Sequence, residues 1–343
     1  MKVVLSGDHA AHFPAGELYL GELVRPFECP ERWDHIVAAL DAVGMDDRLA
    51  PDPVDLGRVG AVHDGAYVEF LRTFWAEWTA AGHTNDAIPT MFPVRGLRHD
   101  RVPDDIDGRL GYYALAAETS ITAGTWQAAA AAAAIAQTAQ RLLSDGEETA
   151  FALCRPPGHH ASADQFGGYC FLNNAAIAAQ GCLVDGADRV AVLDVDFHHG
   201  NGTQSIFWER SDVLFASLHG HPADAFPYFS GWGDETGSGA GEGCTLNLPM
   251  RPGTDFDEWG AALDVACDRI SAFGPDALVV SLGVDTFEAD PISFFRLATD
   301  DYPSVGRRIG RLGLPTLYVM EGGYAVAEIG TNTVDVLRGH LDG

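Results

Sequence analysis

Residues 190–204 read VAVLDVDFHHGNGTQ, an apolar run of strand length that breaks abruptly into acids, histidines and glycines. The run Val190–Val195 lacks the alternation of a half-exposed strand, so it reads as a strand covered on both faces. Five more runs share that character: Val3–Leu5, Phe151–Cys154, Val213–Leu218, Ala277–Leu282 and Thr316–Met320. Helical stretches lie between them. Thr125–Leu143 contains an alanine tract at 128–134 with high helix propensity, and Asn174–Val184 and Asp257–Phe273 space their apolar residues by three and four. Strands alternating with helices predict an α/β fold with a central, mostly parallel β-sheet flanked by helices.

A chain of 343 residues could build one large domain or two smaller ones. With no internal repeat and no Gly/Ser or Pro linker, it is expected to form a single domain over residues 1–343. Gly82–Gly108 breaks the rhythm with Pro89, Pro93 and Pro103 and reads as a long inserted loop, a candidate lid or subunit contact. Pro222–Gly243 is rich in glycine and aromatics, but its glycines lack the spacing of a dinucleotide site, so it reads as a flexible active-site wall.

Against 49 acidic residues stand only 21 basic ones, a net charge of −28 that argues against a general grip on nucleic-acid phosphates or anionic membranes. A cationic partner would be steered in. Adaptation to a salty environment would explain the same charge, and the total does not decide between the two. Lys2 is the sole lysine, so nearly all positive charge is arginine, suited to fixed bidentate pairing. The short apolar run in Met1–Ala10 is interrupted by Asp8 and His9, and no later run spans a bilayer; a cytoplasmic protein is expected. The six cysteines form no CxxC pair and several sit in apolar runs, so they are expected to be reduced.

Four apolar runs end in unusual polar sequence: RPPGHHA (155–161), DVDFHHGNGTQ (194–204), SLGVDTFEADP (281–291) and EGGY (321–324). In open parallel sheets the ligand crevice lies outside the carboxyl ends of the strands, so these segments can converge there. Asp194, Asp196 and His198 alternate and can share one face of an extended chain, and Asp285 follows another strand. Asp196, His198 and Asp285 offer two carboxylates and an imidazole, a plausible open site for zinc or a similar divalent metal. A DxDxH run can also merely cap a helix, but the extra aspartate and histidines here favour the metal. His159 and His160 follow a Pro-Pro-Gly turn and can divide base and acid work, with Asp194 orienting the first and Asn201 meeting the second. On EGGY alone, Tyr324 reads equally as an oxyanion donor or as a core tyrosine.

Together with GGYCFLNN (167–174), these motifs resemble the metal-dependent deacetylases of the arginase/histone deacetylase fold. GELVRPFE (21–28), IDGRLGYY (106–113), AFPYF (225–229) and DPISFF (290–295) look like the bacterial acetylpolyamine amidohydrolase branch. The resemblance implies one Zn²⁺ per subunit on Asp196, His198 and Asp285, with catalysis by His159, His160 and Tyr324 supported by Asp194. It also implies structural K⁺ at an inner site (Asp194, Asp196, His198, Ser217, Leu218) and an outer one (Phe207, Arg210, Val213). Tyr169 and Phe226 match channel walls, Ile292 its mouth, and Glu17 and Asp107 acids that meet a distal ammonium, the latter a methylene shorter than the usual glutamate. The implied activity is zinc-dependent hydrolysis of acetylated polyamines or another small cationic amide by a homodimer. Deacetylation of acetyl-lysine in proteins, or of another acylated small molecule, is the alternative. A two-metal ureohydrolase of the related fold would need more ligands than the sequence offers.

Overall fold

The computed structural model describes all 343 residues. Its strands are β1 (Lys2–Val4), β2 (Glu17–Tyr19), β3 (Glu22–Val24), β4 (Arg48–Leu49), β5 (Thr149–Ala152), β6 (Val190–Asp194), β7 (Val213–Gly220), β8 (Thr245–Met250), β9 (Ala277–Leu282) and β10 (Thr316–Met320). The helices are α1 (Glu31–Ala42), α2 (Leu56–Val59), α3 (Gly65–Ala80), α4 (Ile106–Tyr112), α5 (Thr125–Ser144), α6 (Asn174–Val184), α7 (Asn201–Phe207), α8 (Phe256–Phe273), α9 (Tyr302–Gly310) and α10 (Ile329–Leu341). Eight strands form one sheet in the order β4-β1-β5-β10-β9-β6-β7-β8, and every pairing in it is parallel. β2 and β3 form a separate antiparallel hairpin.

The uninterrupted apolar runs are explained by what covers them. Along the strands, Val4, Ala150, Ala152, Val192 and Val279 face a core packed by α5 and α6. Their neighbours Val3, Phe151, Leu193, Leu278 and Val280 face a second core built with α1, α8, α9 and α10. Side chains of a strand alternate between faces, so a strand with helices on both sides must be apolar throughout. The alanines of α5 and α6 let these helices approach the sheet and each other closely; a Cβ on Gly181 of α6 would stand 2.6 Å from Gln140 Oε1 of α5.

The expected strands and helices recur with shifts of at most two residues at their ends. Three features differ. The sheet has two further strands at its edges, β4 and β8. The irregular stretch expected over Gly82–Gly108 ends sooner, because Asp105 accepts hydrogen bonds from the backbone amides of Asp107 and Gly108 and starts α4 at Ile106. Pro222–Gly243 carries a short 3₁₀ turn at Gly239–Gly241 and is otherwise without helix or strand. No helix is long and apolar enough to cross a membrane, and all six cysteines are free, four buried and two half-buried.

A buried ionic cluster ties the N-terminal segment to the sheet. Glu28 Oε1 accepts from Arg32 Nη1 and from Arg155 Nε, both at 2.8 Å, and all three side chains are almost completely buried. Arg155 also donates to the carbonyls of His9 and His12, and Arg32 to those of Glu321 and Gly323. Burial alone would raise the Glu28 carboxyl, but the two guanidinium charges outweigh it and hold it below the usual range. Glu28→Ala would leave two buried cations without their counter-charge, which is expected to cost about 3–5 kcal/mol. Urea denaturation of the variant checks this, and a loss below about 1 kcal/mol, the scale of an exposed pair, would mean that solvent reaches the cluster.

Candidate active site

The four polar motifs follow β5, β10, β9 and β6, which are immediate neighbours in the sheet. Their first residues therefore emerge side by side at one edge, which is how segments more than a hundred residues apart meet. Asp194 ends β6 in register with Ser281 of β9 on one side and Ser217 of β7 on the other.

Beyond that edge, one ligand atom each from Asp196, His198 and Asp285 lies within 4.8 Å of the others. His198 Nδ1 is 2.9 Å from Asp285 Oδ2 and 3.4 Å from Asp196 Oδ1. Both carboxylates are wholly buried. They are held by backbone donors: Phe197 N–H donates to Asp285 at 2.7 Å, and the amides of His198 and Gly322 donate to Asp196 at 2.9 and 2.7 Å. Gly322 has no alternative, because a Cβ there would stand 2.5 Å from Asp196 Oδ2 and 2.7 Å from Asp285 Oδ2.

The electrostatics of this trio call for a cation. Burial and the Asp196 charge push the Asp285 carboxyl up to about 8, while hydrogen bonding and charge from the two aspartates overcome burial and pull His198 up to about 10. Asp196 is held well below the usual carboxylate range, against burial, chiefly by the charge of His159. Two buried carboxylates with only histidines for counter-charge, converging with an imidazole, are a donor set that fits a divalent metal ion.

The two other histidines lie beside it. Their ring centroids are 4.1 Å apart. His159 Nδ1–H donates to Asp194 Oδ2 at 3.0 Å, leaving Nε2 3.8 Å from Asp196 Oδ1. His160 Nδ1–H donates to Asn201 Oδ1 at 2.7 Å. Their environments diverge. Burial lowers both, but the charges of Asp196 and then Asp194 carry His159 well above its ordinary value, whereas His160, beside His159 and His198, stays well below. A cation on Asp196 would cancel the largest charge holding His159 protonated. The turn that presents the pair is fastened by Glu321, whose Oε2 accepts from the amides of Gly158 and His159 at 2.6 and 3.1 Å.

A cavity of about 320 Å³ opens onto this centre, with His160, His198 and Tyr324 in its wall. Its sides are apolar: Tyr169, Phe226, Ile292 and Phe294, with Leu18 and Leu20 from the β2–β3 hairpin. Phe226 meets His160 edge-on at 5.0 Å, and Tyr169 meets Tyr324 edge-on at 5.6 Å. Burial keeps the Tyr324 phenol well above its usual pKa, so it is a hydrogen-bond donor at neutral pH. Its backbone is pinned by Asp290, whose Oδ2 accepts from the amides of Tyr324 and Ala325.

Thus Tyr169, Phe226 and Ile292 do line the cavity. Glu17 and Asp107 do not. Glu17 is buried behind Tyr169, and Asp107 is exposed in the first turn of α4. The helix begun by Asp105 turns the Asp107 side chain to solvent. The acids in the cavity wall are instead Glu118 and Asp224, neither singled out by sequence. Glu118 Oε1 accepts from Gly168 N–H at 2.9 Å, and burial raises its carboxyl. A lone charge within Leu115–Ala117 and Thr119 was the only signal. Of the residues grouped by resemblance around K⁺, Asp194 and Ser217 are register partners, while Phe207 ends α7, Arg210 pairs with Asp212, and Val213 opens β7. The hydroxyl of Ser217 is 2.8 Å from His219 Nδ1.

Residues 26–340 match the histone deacetylase domain. The acetylpolyamine amidohydrolase of Mycoplana ramosa is 56% identical over 339 residues, covering 99% of each chain. Acetylpolyamine amidohydrolase 1 of Pseudomonas aeruginosa is 55% identical over 343 residues, again 99% of each. The crystal structure of the acetylpolyamine aminohydrolase from Burkholderia pseudomallei superimposes with a TM-score of 0.94 at 38% identity, covering 99% of this chain and 98% of that one. With its parallel sheet, its four converging motifs and a match over nearly its whole length, the chain belongs to the histone deacetylase domain family.

Proposed function

We propose that this protein hydrolyses the acetamide of acetylated polyamines or similarly slender aliphatic amines. The observation that carries this reading is the meeting of His160, His198 and Tyr324 at one narrow, aromatic-walled cavity. Apolar sides suit a methylene chain, and the names of the Mycoplana and Pseudomonas relatives support the polyamine. The half-buried Glu118 supplies a carboxylate for an amine further along that chain.

Asp196, His198 and Asp285 would hold Zn²⁺, which when bound supplies Lewis-acid polarisation of the amide carbonyl and acidifies a water. The phenol of Tyr324 donates to the oxyanion that forms as water adds to the carbonyl carbon. His159, its Nδ1–H fixed on Asp194, takes a proton from that water at Nε2. His160, its Nδ1–H fixed on Asn201, is neutral at rest; its Nε2 takes up the proton abstracted from water and passes it to the amine nitrogen as the C–N bond breaks, giving amine and acetate. Potassium at the two sites implied by resemblance would act structurally. The inner one has hard oxygen donors in the Asp194 carboxylate and the Ser217 hydroxyl. The reading extends to a single domain and a cytoplasmic homodimer, supported by free cysteines and by exposed Met91, Val94 and Leu97 in the long loop.

Three outcomes test this. Purified enzyme is expected to turn over acetylputrescine or acetylspermidine at least about tenfold more efficiently than an acetyl-lysine peptide, the scale of a few lost apolar contacts; the reverse preference would make it a protein deacetylase. Tyr324→Phe is expected to lower kcat about 10²–10³-fold with metal content unchanged, and near-normal turnover would remove the phenol from the mechanism. Chelation should abolish activity, with one equivalent of Zn²⁺ per chain restoring it; two equivalents at the site would favour ureohydrolase chemistry instead.

A further inference from the structure

We propose that Glu17 serves as a positioning residue that acts through Tyr169 to set the channel wall, and that its carboxylate does not meet the substrate's ammonium group. The inference rests on reading the cavity as the acetamide site and names how one of its walls is fixed. Glu17 opens β2 and is 1% exposed. Both of its oxygens are engaged: Oε1 accepts from the Tyr169 hydroxyl at 3.0 Å, and Oε2 from the amide of Phe27 at 3.2 Å. The carboxylate backs onto a separate void of about 10 Å³ that it shares with His12, Glu28 and Glu118, far too small for a polyamine chain. Tyr169 borders both this void and the substrate-sized cavity, whereas Glu17 borders only the void.

Tyr169 needs such a fastening. Its φ of +66° lies in the left-handed region, which a bulky residue seldom occupies unless its surroundings dictate it. Neighbours hold it at three points. Its amide donates to Thr119 Oγ1 at 2.8 Å, the amide of Gly168 before it donates to Glu118, and its hydroxyl reaches Glu17. The third is the only one that restrains the ring's far end. Gly168 itself permits no side chain, since a Cβ would stand 2.2 Å from the His160 ring. A shift of Tyr169 is therefore felt by His160 on one side and by Tyr324, 5.6 Å away, on the other. The titration of the pair agrees with this role. Burial pushes the Glu17 carboxyl up to about 7, and the Tyr169 phenol, pushed well above its usual value, remains a donor to it.

The test sets Glu17→Ala, Glu17→Gln and Tyr169→Phe against two substrates of equal length, an acetylated diamine and an acetylated monoamine lacking the distal ammonium. Metal content and melting temperature are checked for each variant. Glu17→Ala and Tyr169→Phe are expected to lower kcat/KM about tenfold on both substrates alike, the scale of one hydrogen bond to a charged group. The double variant should be no worse than either single one, the signature of two residues acting as a unit. Glu17→Gln, whose carbonyl still accepts from the phenol, should recover most of the loss, a rescue that lost folding stability alone would not produce. A loss confined to the charged substrate, equally large in Glu17→Gln, would make Glu17 an ammonium ligand and overturn the proposal; so would normal kinetics in Glu17→Ala. Crystal structures of wild type and Glu17→Ala give a readout that needs no turnover: a displaced Tyr169 supports the proposal and an unmoved ring refutes it. Failure of the wild type on both acetamides would remove the acetamide reading, and this comparison of structures would still decide the role of Glu17.

Discussion

Two carboxylates, Asp196 and Asp285, lie wholly buried in the protein with no lysine or arginine paired to them. Desolvating two like charges this close is unfavourable by several kcal/mol for each ion unless a cation and oriented donors replace water. The donors are the backbone amides of Phe197, His198 and Gly322, drawn from loops after two different strands. Those loops are consequently shaped by the acids. Gly283 and Gly322 lack side chains where a Cβ would approach the carboxylates within about 3 Å, and Tyr324 follows Gly322 by only two residues. The position of the phenol is thus a consequence of how the aspartates are solvated, and the histidine pair answers to the same charges. The central strands β5, β10, β9 and β6 serve to bring these loops to one place.

Much of this was legible in the sequence, for a physical reason. Strands covered on both faces are uninterrupted apolar runs, so β9 and β10 could be bounded to the residue, and the onset of polar residues marks where each leaves the sheet. The edge strands left no such mark. β8 is buried at alternate positions for only part of its length and contains Pro249, and β4 has two residues, so neither looks apolar throughout. The meeting of Asp196 and His198 was readable because alternation along an extended chain fixes which side chains share a face, and Asp285 because it follows a neighbouring strand. The channel acids were not. Whether Glu17 faces ligand or protein depends on the packing of a hairpin against a loop 150 residues away, and the exposure of Asp107 depends on a helix cap two residues before it. Glu118 occupies a stretch without period or motif, where only three-dimensional proximity gives it meaning.

Residues 5–30, between β1 and α1, form a hairpin that pairs with no strand of the main sheet. What anchors them is the Glu28–Arg32–Arg155 cluster. Arg155 begins the motif that presents the histidine pair, and it reaches the carbonyls of His9 and His12; Arg32 reaches the carbonyls on either side of Gly322. A guanidinium can satisfy a carboxylate and two carbonyls at once in a fixed plane, which an ammonium on a flexible stem does less well. This use of arginine ties the segment from the N-terminus to the loops after β5 and β10 that carry the histidine pair and Tyr324.

Charge then acts at two ranges. The net charge of −28 is spread over the molecule and is screened beyond about 8 Å at physiological ionic strength, so it raises the rate at which a polycation arrives more than it discriminates among polycations. Discrimination falls to the carboxylates in the cavity wall. Asp224 is exposed and already paired with Arg251, so its field there is partly cancelled. Glu118 has no basic partner; its oxygen accepts from the Gly168 amide, and burial raises its carboxyl towards the neutral form. An arriving ammonium reverses that shift, because an opposite charge at short range favours the ionised carboxylate. Glu118, which lines the cavity without a basic partner, is therefore the acid of the wall whose ionised form a cationic chain would favour.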